Sequence, residues 1–146
     1  MAVIDKDLGY KVILGRLEHL QGTVKVGFFS DSGEEPNGVT VAEVATYNEY
    51  GTGRIPARPF MRQTVDAKQG DWANLAQNVE KRVVGGMGIH QGLELIGIKA
   101  KGDTQEMIDK GNFAPNAPAT IRRKKSSHPL IDTGLMRASV SFKVEE

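Results

Sequence analysis

The side chains best able to do chemistry are scattered along this sequence. Its three histidines, His19, His90 and His128, fall in three different segments. His90 and Glu94 are four residues apart, so on a helix they share a face and could offer a metal two ligands. The plainer reading of such a pair is a solvent-exposed ion pair. No cysteine is present, which removes thiolate zinc sites and disulfides. No G-x-S-x-G elbow raises a nucleophilic serine. Gly85-Gly86-Met87-Gly88 follows a helical pattern rather than a strand and lacks a following Gly-Lys-Ser/Thr, so it is a turn and not a phosphate cradle. Glu34 and Glu35 lie in a polar loop where nothing would drive their pKa values apart. The residue types and spacings point away from an enzyme and imply neither cofactor nor metal.

Charge is more informative in its distribution than in its sum. The 146 residues carry 19 Lys and Arg against 18 Asp and Glu, a formal net charge of +1, which argues against a dedicated nucleic-acid coat. Between Asp31 and Gly53 there are five acidic residues (Asp31, Glu34, Glu35, Glu43 and Glu49) and no Lys or Arg. Arg54, Arg58 and Arg62 follow at once, and a second basic run, Arg122-Arg123-Lys124-Lys125, comes late. Such a run can contact phosphates, but it has no interleaved aromatics and no recognisable reading motif. Segregated charge reads either as solvated surface or as a head-to-tail interface, in which one copy's acidic patch meets its neighbour's basic patch.

The elements that must position these groups follow from periodicity. Leu8, Ile13, Leu17 and Leu20 predict a short amphipathic helix within residues 5–20, weakened by Gly9 and Gly15. Thr23–Ser30 alternates Val24, Val26 and Phe28 against Lys25 and Gly27, a strand. Residues 31–38, DSGEEPNG, form a loop. Thr40 with Glu43 three residues on predicts a capped helix running to about Tyr50 and stopping at Gly51. A long helix starts at Pro59 with Met61, Val65, Trp72, Ala76, Val79 and Val83 as its stripe. A second places Ile89, Leu93, Ile96, Ala100 and Met107 on one face. Gly92, Gly97 and Gly102 inside it each cost about 1 kcal/mol against Ala, so close packing of two helix backbones in a hairpin is expected to compensate. After an irregular, mobile loop over 112–128 and a short turn at 130–136, Ser139–Val144 alternates as a closing strand that pairs with the first. The expected class is α+β, a small antiparallel sheet on a long two-helix hairpin with a shorter N-terminal helix, in one domain over 1–146. The first residues lack the basic and apolar regions of a signal peptide. No apolar run approaches the ~20 residues of a membrane helix, so no membrane partner is expected.

One segment, YNEYGTGRIPARPFMRQ at 47–63, fits neither helix nor strand. Ile55 and Arg58 each precede a proline and are pushed to extended conformations, while Pro56 and Pro59 fix their own φ. Residues 51–59 therefore read as a stiff extended arm with Phe60 anchoring its base in the core. From it Arg54 and Arg58 project toward carboxylates of a neighbouring copy, Glu49 among them, with Ile55 and Pro56 in the same interface.

VAEVATYNEYGTGRIPARPFMRQT (41–64) resembles the first signature of the small neck and tail-completion proteins of long-tailed bacteriophages, A-x-x-N-E-[FY]-G-T followed by I-P-A-R-P-F. APATIRRKKSSHPLIDTGLMRASVSFKV (117–144) is similar to their second, a T-I-x-x-K segment followed by P-L-I-D-T-G and a final strand. Together these cover about a third of the chain. In the first motif the matching positions are Asn48, Glu49, Gly51, Ile55, Pro56, Arg58, Pro59 and Phe60. In the second they are Leu130, Asp132, Thr133, Gly134 and Leu135, with Asp132-Thr133-Gly134 as a cap or tight turn. The resemblance implies a structural virion protein, assembled in the host cytoplasm as a homo-oligomeric ring, often sixfold, at the head-tail junction. Its partners would be further copies, a head-side connector or adaptor, and the tail tube or tail terminator, with DNA passing only through the lumen. The competing expectation is a nucleic-acid-binding accessory protein that uses Arg122, Arg123, Lys124 and Lys125.

Overall fold

The computed structural model describes residues 9–132 and 134–146. The chain is α+β: a two-stranded antiparallel sheet lies on a long helical hairpin, with shorter helices around it. The helices are α1 (Tyr10–Glu18), α2 (Val41–Tyr50), α3 (Phe60–Val84), α4 (Ile89–Lys110), α5 (Pro118–Lys124) and α6 (Leu135–Ser139). The strands are β1 (Thr23–Gly27) and β2 (Ser141–Glu145).

Local chemistry sets several boundaries where the sequence places them. The Thr40 hydroxyl accepts from the Glu43 amide at 3.2 Å, and the Glu43 carboxylate accepts from the Thr40 amide at 2.9 Å. This reciprocal pair satisfies two of the donors that every helix start leaves open. Both Thr40 contacts, the backbone amide's first, hold the Glu43 carboxyl below its usual range. Gly51 ends α2 at φ 76°, a left-handed conformation that glycine adopts freely. Gly86 turns the chain between α3 and α4 at φ 116°, where the Met87 amide donates to the Arg82 carbonyl.

The first and last strands pair, with Val24 opposite Val144 and Val26 opposite Phe142. Two strands alone are marginal in water, and α4 packs across both of them. The main core gathers Val41, Ala45, Phe60, Ile108, Leu130, Met136 and Val140 from five different parts of the chain. Phe60 is wholly buried and meets Phe28 edge-on, with ring centroids 6.0 Å apart.

Four expectations need correction. At the start of α3, Phe60 and Thr64 turn inward and Val65 is exposed, as is Ala76 further on, while Met61 packs on the core and Val79 and Val83 are buried where the stripe places them. Thr64 can replace an apolar residue there because its hydroxyl donates to the Phe60 carbonyl at 2.6 Å. The glycines of α4 do not share one cause. A side chain at Gly92 would run into Val79 of α3, one at Gly97 would overlap the Phe142 ring of β2, and Gly102 faces open space. Residues 112–128 are not loop throughout, because Pro118 sits in the first turn of α5, where its fixed φ favours a helix. Finally, α1 starts at Tyr10 and buries no residue, while Leu8 lies outside the described residues.

Candidate docking cleft

The proline-rich segment 51–59 folds back instead of reaching out. The Thr52 amide donates to the Ile55 carbonyl at 2.8 Å, and the Thr52 hydroxyl accepts from the Ile55 amide at 3.1 Å. A Cβ on Gly51 would come within 2.8 Å of the Ala57 nitrogen, so only glycine admits the returning chain. The Arg58 amide then donates to the Asn48 carbonyl at 2.6 Å, tying the segment to the end of α2. Turn hydrogen bonds thus override the reach that the two prolines suggest.

Two residues expected at an intersubunit contact are used inside the chain. Glu49 is buried, and its carboxylate accepts from the amides of Met61 at 2.8 Å and Arg62 at 3.1 Å. It supplies the N-terminal acceptor that Pro59, with no side-chain hydrogen bond, does not give α3. Arg58 is only 4% exposed. Its Nε donates to the Ala114 carbonyl at 2.7 Å and its Nη2 to the Pro115 carbonyl at 3.2 Å and Asn116 Oδ1 at 3.0 Å. Its Nη1 donates to Asn48 Oδ1 at 3.1 Å. Asn116 continues the chain of bonds to the His128 carbonyl at 3.2 Å. Arg58 is therefore an internal brace between α2 and the segment before α5, and burial draws its pKa below the ordinary guanidinium value. Asn116 escaped the sequence reading, although a buried arginine needs such acceptors and an asparagine between two prolines was the available signal.

The remaining candidates surround one open cleft of about 590 Å³. Its walls are the 35–39 loop, the outer face of α2, the folded-back segment, α5 and residues 129–136. Arg54, Ile55 and Pro56 line it, as do Asp132 and Gly134, and Gly134 opens α6 at φ 82°. Thr133 lies outside the described residues. The late basic run is divided: Arg123 and Lys124 line the cleft, with Lys124 Nζ 4.0 Å from Asp132, whereas Arg122 and Lys125 are exposed elsewhere. Val39, Val44 and Tyr47 add apolar wall, so the cleft pairs an apolar surface with Arg54, Arg58, Arg123 and Lys124 against Glu35 and Asp132. That lining suits a chain segment with an apolar face and a negative charge.

The groups first weighed for chemistry lie elsewhere. His90 Nδ1 is 2.8 Å from Glu146 and its Nε2 3.6 Å from Glu94, an exposed cluster beside the end of β2. Among the described residues no group of three or more His, Asp or Glu side chains is placed to hold a metal, and no helix is long and apolar enough to cross a membrane. Comparison with protein-family models, curated proteins and solved structures finds no match.

Proposed function

We propose that this chain is a structural virion protein that forms a ring, sixfold in the simplest case, at the junction of phage head and tail. The supporting observation is where the two signatures lie. The 41–64 and 117–144 segments are far apart in sequence, yet each contributes side chains to the cleft, and Arg58 braces the first against the residues leading into the second. Catalytic residues brought together by folding converge on a nucleophile and a base; these converge on a shape, which is what an assembly component needs. In this reading the ring contacts a head-side connector or adaptor and the tail tube or terminator, and DNA passes through its lumen. Removing the gene from the phage should leave full heads and finished tails that do not join, and supplying the protein in trans should restore joining. Joined particles in its absence would refute the reading. The accessory-protein alternative rests on residues 122–125, of which Arg123 and Lys124 line the cleft and Arg122 and Lys125 are exposed outside it.

A further inference from the structure

Among the described residues, helix α1 presents a partly exposed apolar stripe. Tyr10, Ile13, Leu14 and Leu17 are 67%, 39%, 36% and 41% exposed, and they stand at i, i+3, i+4 and i+7. That spacing places all four on one stripe, the pattern by which a helix seats in a groove. The helix is tied to the body through Arg16, whose Nη1 donates to the Val84 carbonyl at 2.8 Å beside Gly86. It therefore sits at the turn between α3 and α4. The cleft opens at the opposite end, next to the start of α3. The 25 residues of α3 separate the two by about 37 Å, so a chain cannot fill its own cleft.

We propose that the cleft receives α1 of a second copy. The charge at the C-terminal end of α1 agrees with this occupant, while Arg16 is turned to the Val84 carbonyl. All the side-chain acceptors of Arg58 are neutral oxygens, and Arg54 and Arg123 make no ion pair among the described residues. Glu18 follows directly on Leu17 at the end of α1, is exposed, and makes no ion pair among the described residues. The negative end of the α1 backbone dipole lies at the same place. Seating the stripe against Val44, Tyr47 and Ile55 brings Glu18 to the basic wall. Knob and cleft at opposite ends of one molecule make a head-to-tail contact, which closes into a ring or continues as a filament. Nine residues bury little surface, so a single contact is weak and closure of the ring supplies the stability. The inference rests on the ring reading and names its contact.

The absence of cysteine makes the test clean. Full-length chains carrying Leu14→Cys together with Thr120→Cys should give, on mild oxidation, a ladder of covalent oligomers, both in concentrated solution and in particles. Each single-cysteine variant should stay uncrosslinked alone, and an equimolar mixture of the two should give dimers only. Monomer alone from the double variant, or dimer from Leu14→Cys alone, which means that α1 packs on α1, would overturn the proposal. The reading beneath it fails separately: a chain found at the head-tail junction without the crosslink sinks only the α1 contact. A ladder from a chain that never enters particles sinks only the virion role.

Discussion

Arg58 shows how a residue's neighbours in sequence can mislead about its role. Between two prolines it reads as a projecting charge whose loss would leave the monomer's stability untouched. In the fold its guanidinium serves three backbone or side-chain oxygens of 114–116 and one of Asn48. Hydrogen bonds to a charged group contribute about 1.5–3 kcal/mol, and acceptors left buried and unpaired add to the loss. Arg58→Ala should therefore destabilise the monomer by about 3 kcal/mol, lowering the melting temperature by about 10 °C. Arg58→Lys should recover little, because an ammonium lacks the planar fork that meets these oxygens together. A melting temperature within 2–3 °C (about 1 kcal/mol) of the parent for Arg58→Ala would return the residue to the surface role. Asp103 offers a second test at this scale. It is buried and accepts from Trp72 Nε1 at 2.8 Å and Lys99 Nζ at 2.6 Å. Burial raises its pKa, but the bonds from Lys99 and Trp72 and the charges of Lys99 and Lys68 outweigh that and hold it below the ordinary aspartate range. A carboxylate with a depressed folded pKa contributes stability that is present above its unfolded pKa and lost as pH falls through the folded value. Acid unfolding of the parent, followed by Trp72 fluorescence, should steepen below about pH 4, where an ordinary Asp titrates. Asp103→Asn should be less stable at pH 7 and flatter in that window. An unchanged acid limb would remove Asp103 as its cause.

At the scale of elements, the glycines of α4 separate intrinsic propensity from packing. Gly102 has open space around it, so Gly102→Ala should stabilise the protein by about 0.5–1 kcal/mol. Gly97 supports the Phe142 ring, so Gly97→Ala should cost about 1–3 kcal/mol despite the better propensity of alanine. Denaturation midpoints that shift in opposite directions bear this out, and two shifts of the same sign contradict it. The same contrast explains what the sequence disclosed. The Thr40–Glu43 cap, the turn at 85–88 and the alternation of the two strands are local signals, and each appears in the fold. The register of α3 is not local, because Phe60 is drawn into the core by Phe28 and by α2. Nor is the fold-back of 51–59, which depends on Gly51 admitting Ala57 and on Asn48 accepting from Arg58. Helix α5 carries its own signal in Pro118, hidden among the prolines of a segment that reads as irregular. Of the candidate site, Arg54, Ile55, Pro56, Arg123, Lys124, Asp132 and Gly134 were legible as positions in motifs, but their meeting around one cleft required the fold.

For the whole molecule, the body is stable without a partner only if its core is closed, and the main cluster around Phe60 and Ile108 is fully buried in the single chain. Among the described residues, the cleft lies at one end and the apolar stripe of α1 at the other. Weak individual contacts should leave the chain monomeric at micromolar concentration, with rings favoured on the end of a connector or tail tube that holds several copies together. Light scattering should show the monomer alone and a large complex when tail tubes are added. A tight dimer that ignores the tube would argue for a different assembly. The most direct measurement is electron-microscopic imaging of complete phage particles that carry a labelled copy of this protein. Label should be confined to the head-tail junction, in several symmetry-related positions around the DNA path. Complete particles that lack the label, or label spread over the head surface or the tail fibres, would contradict it.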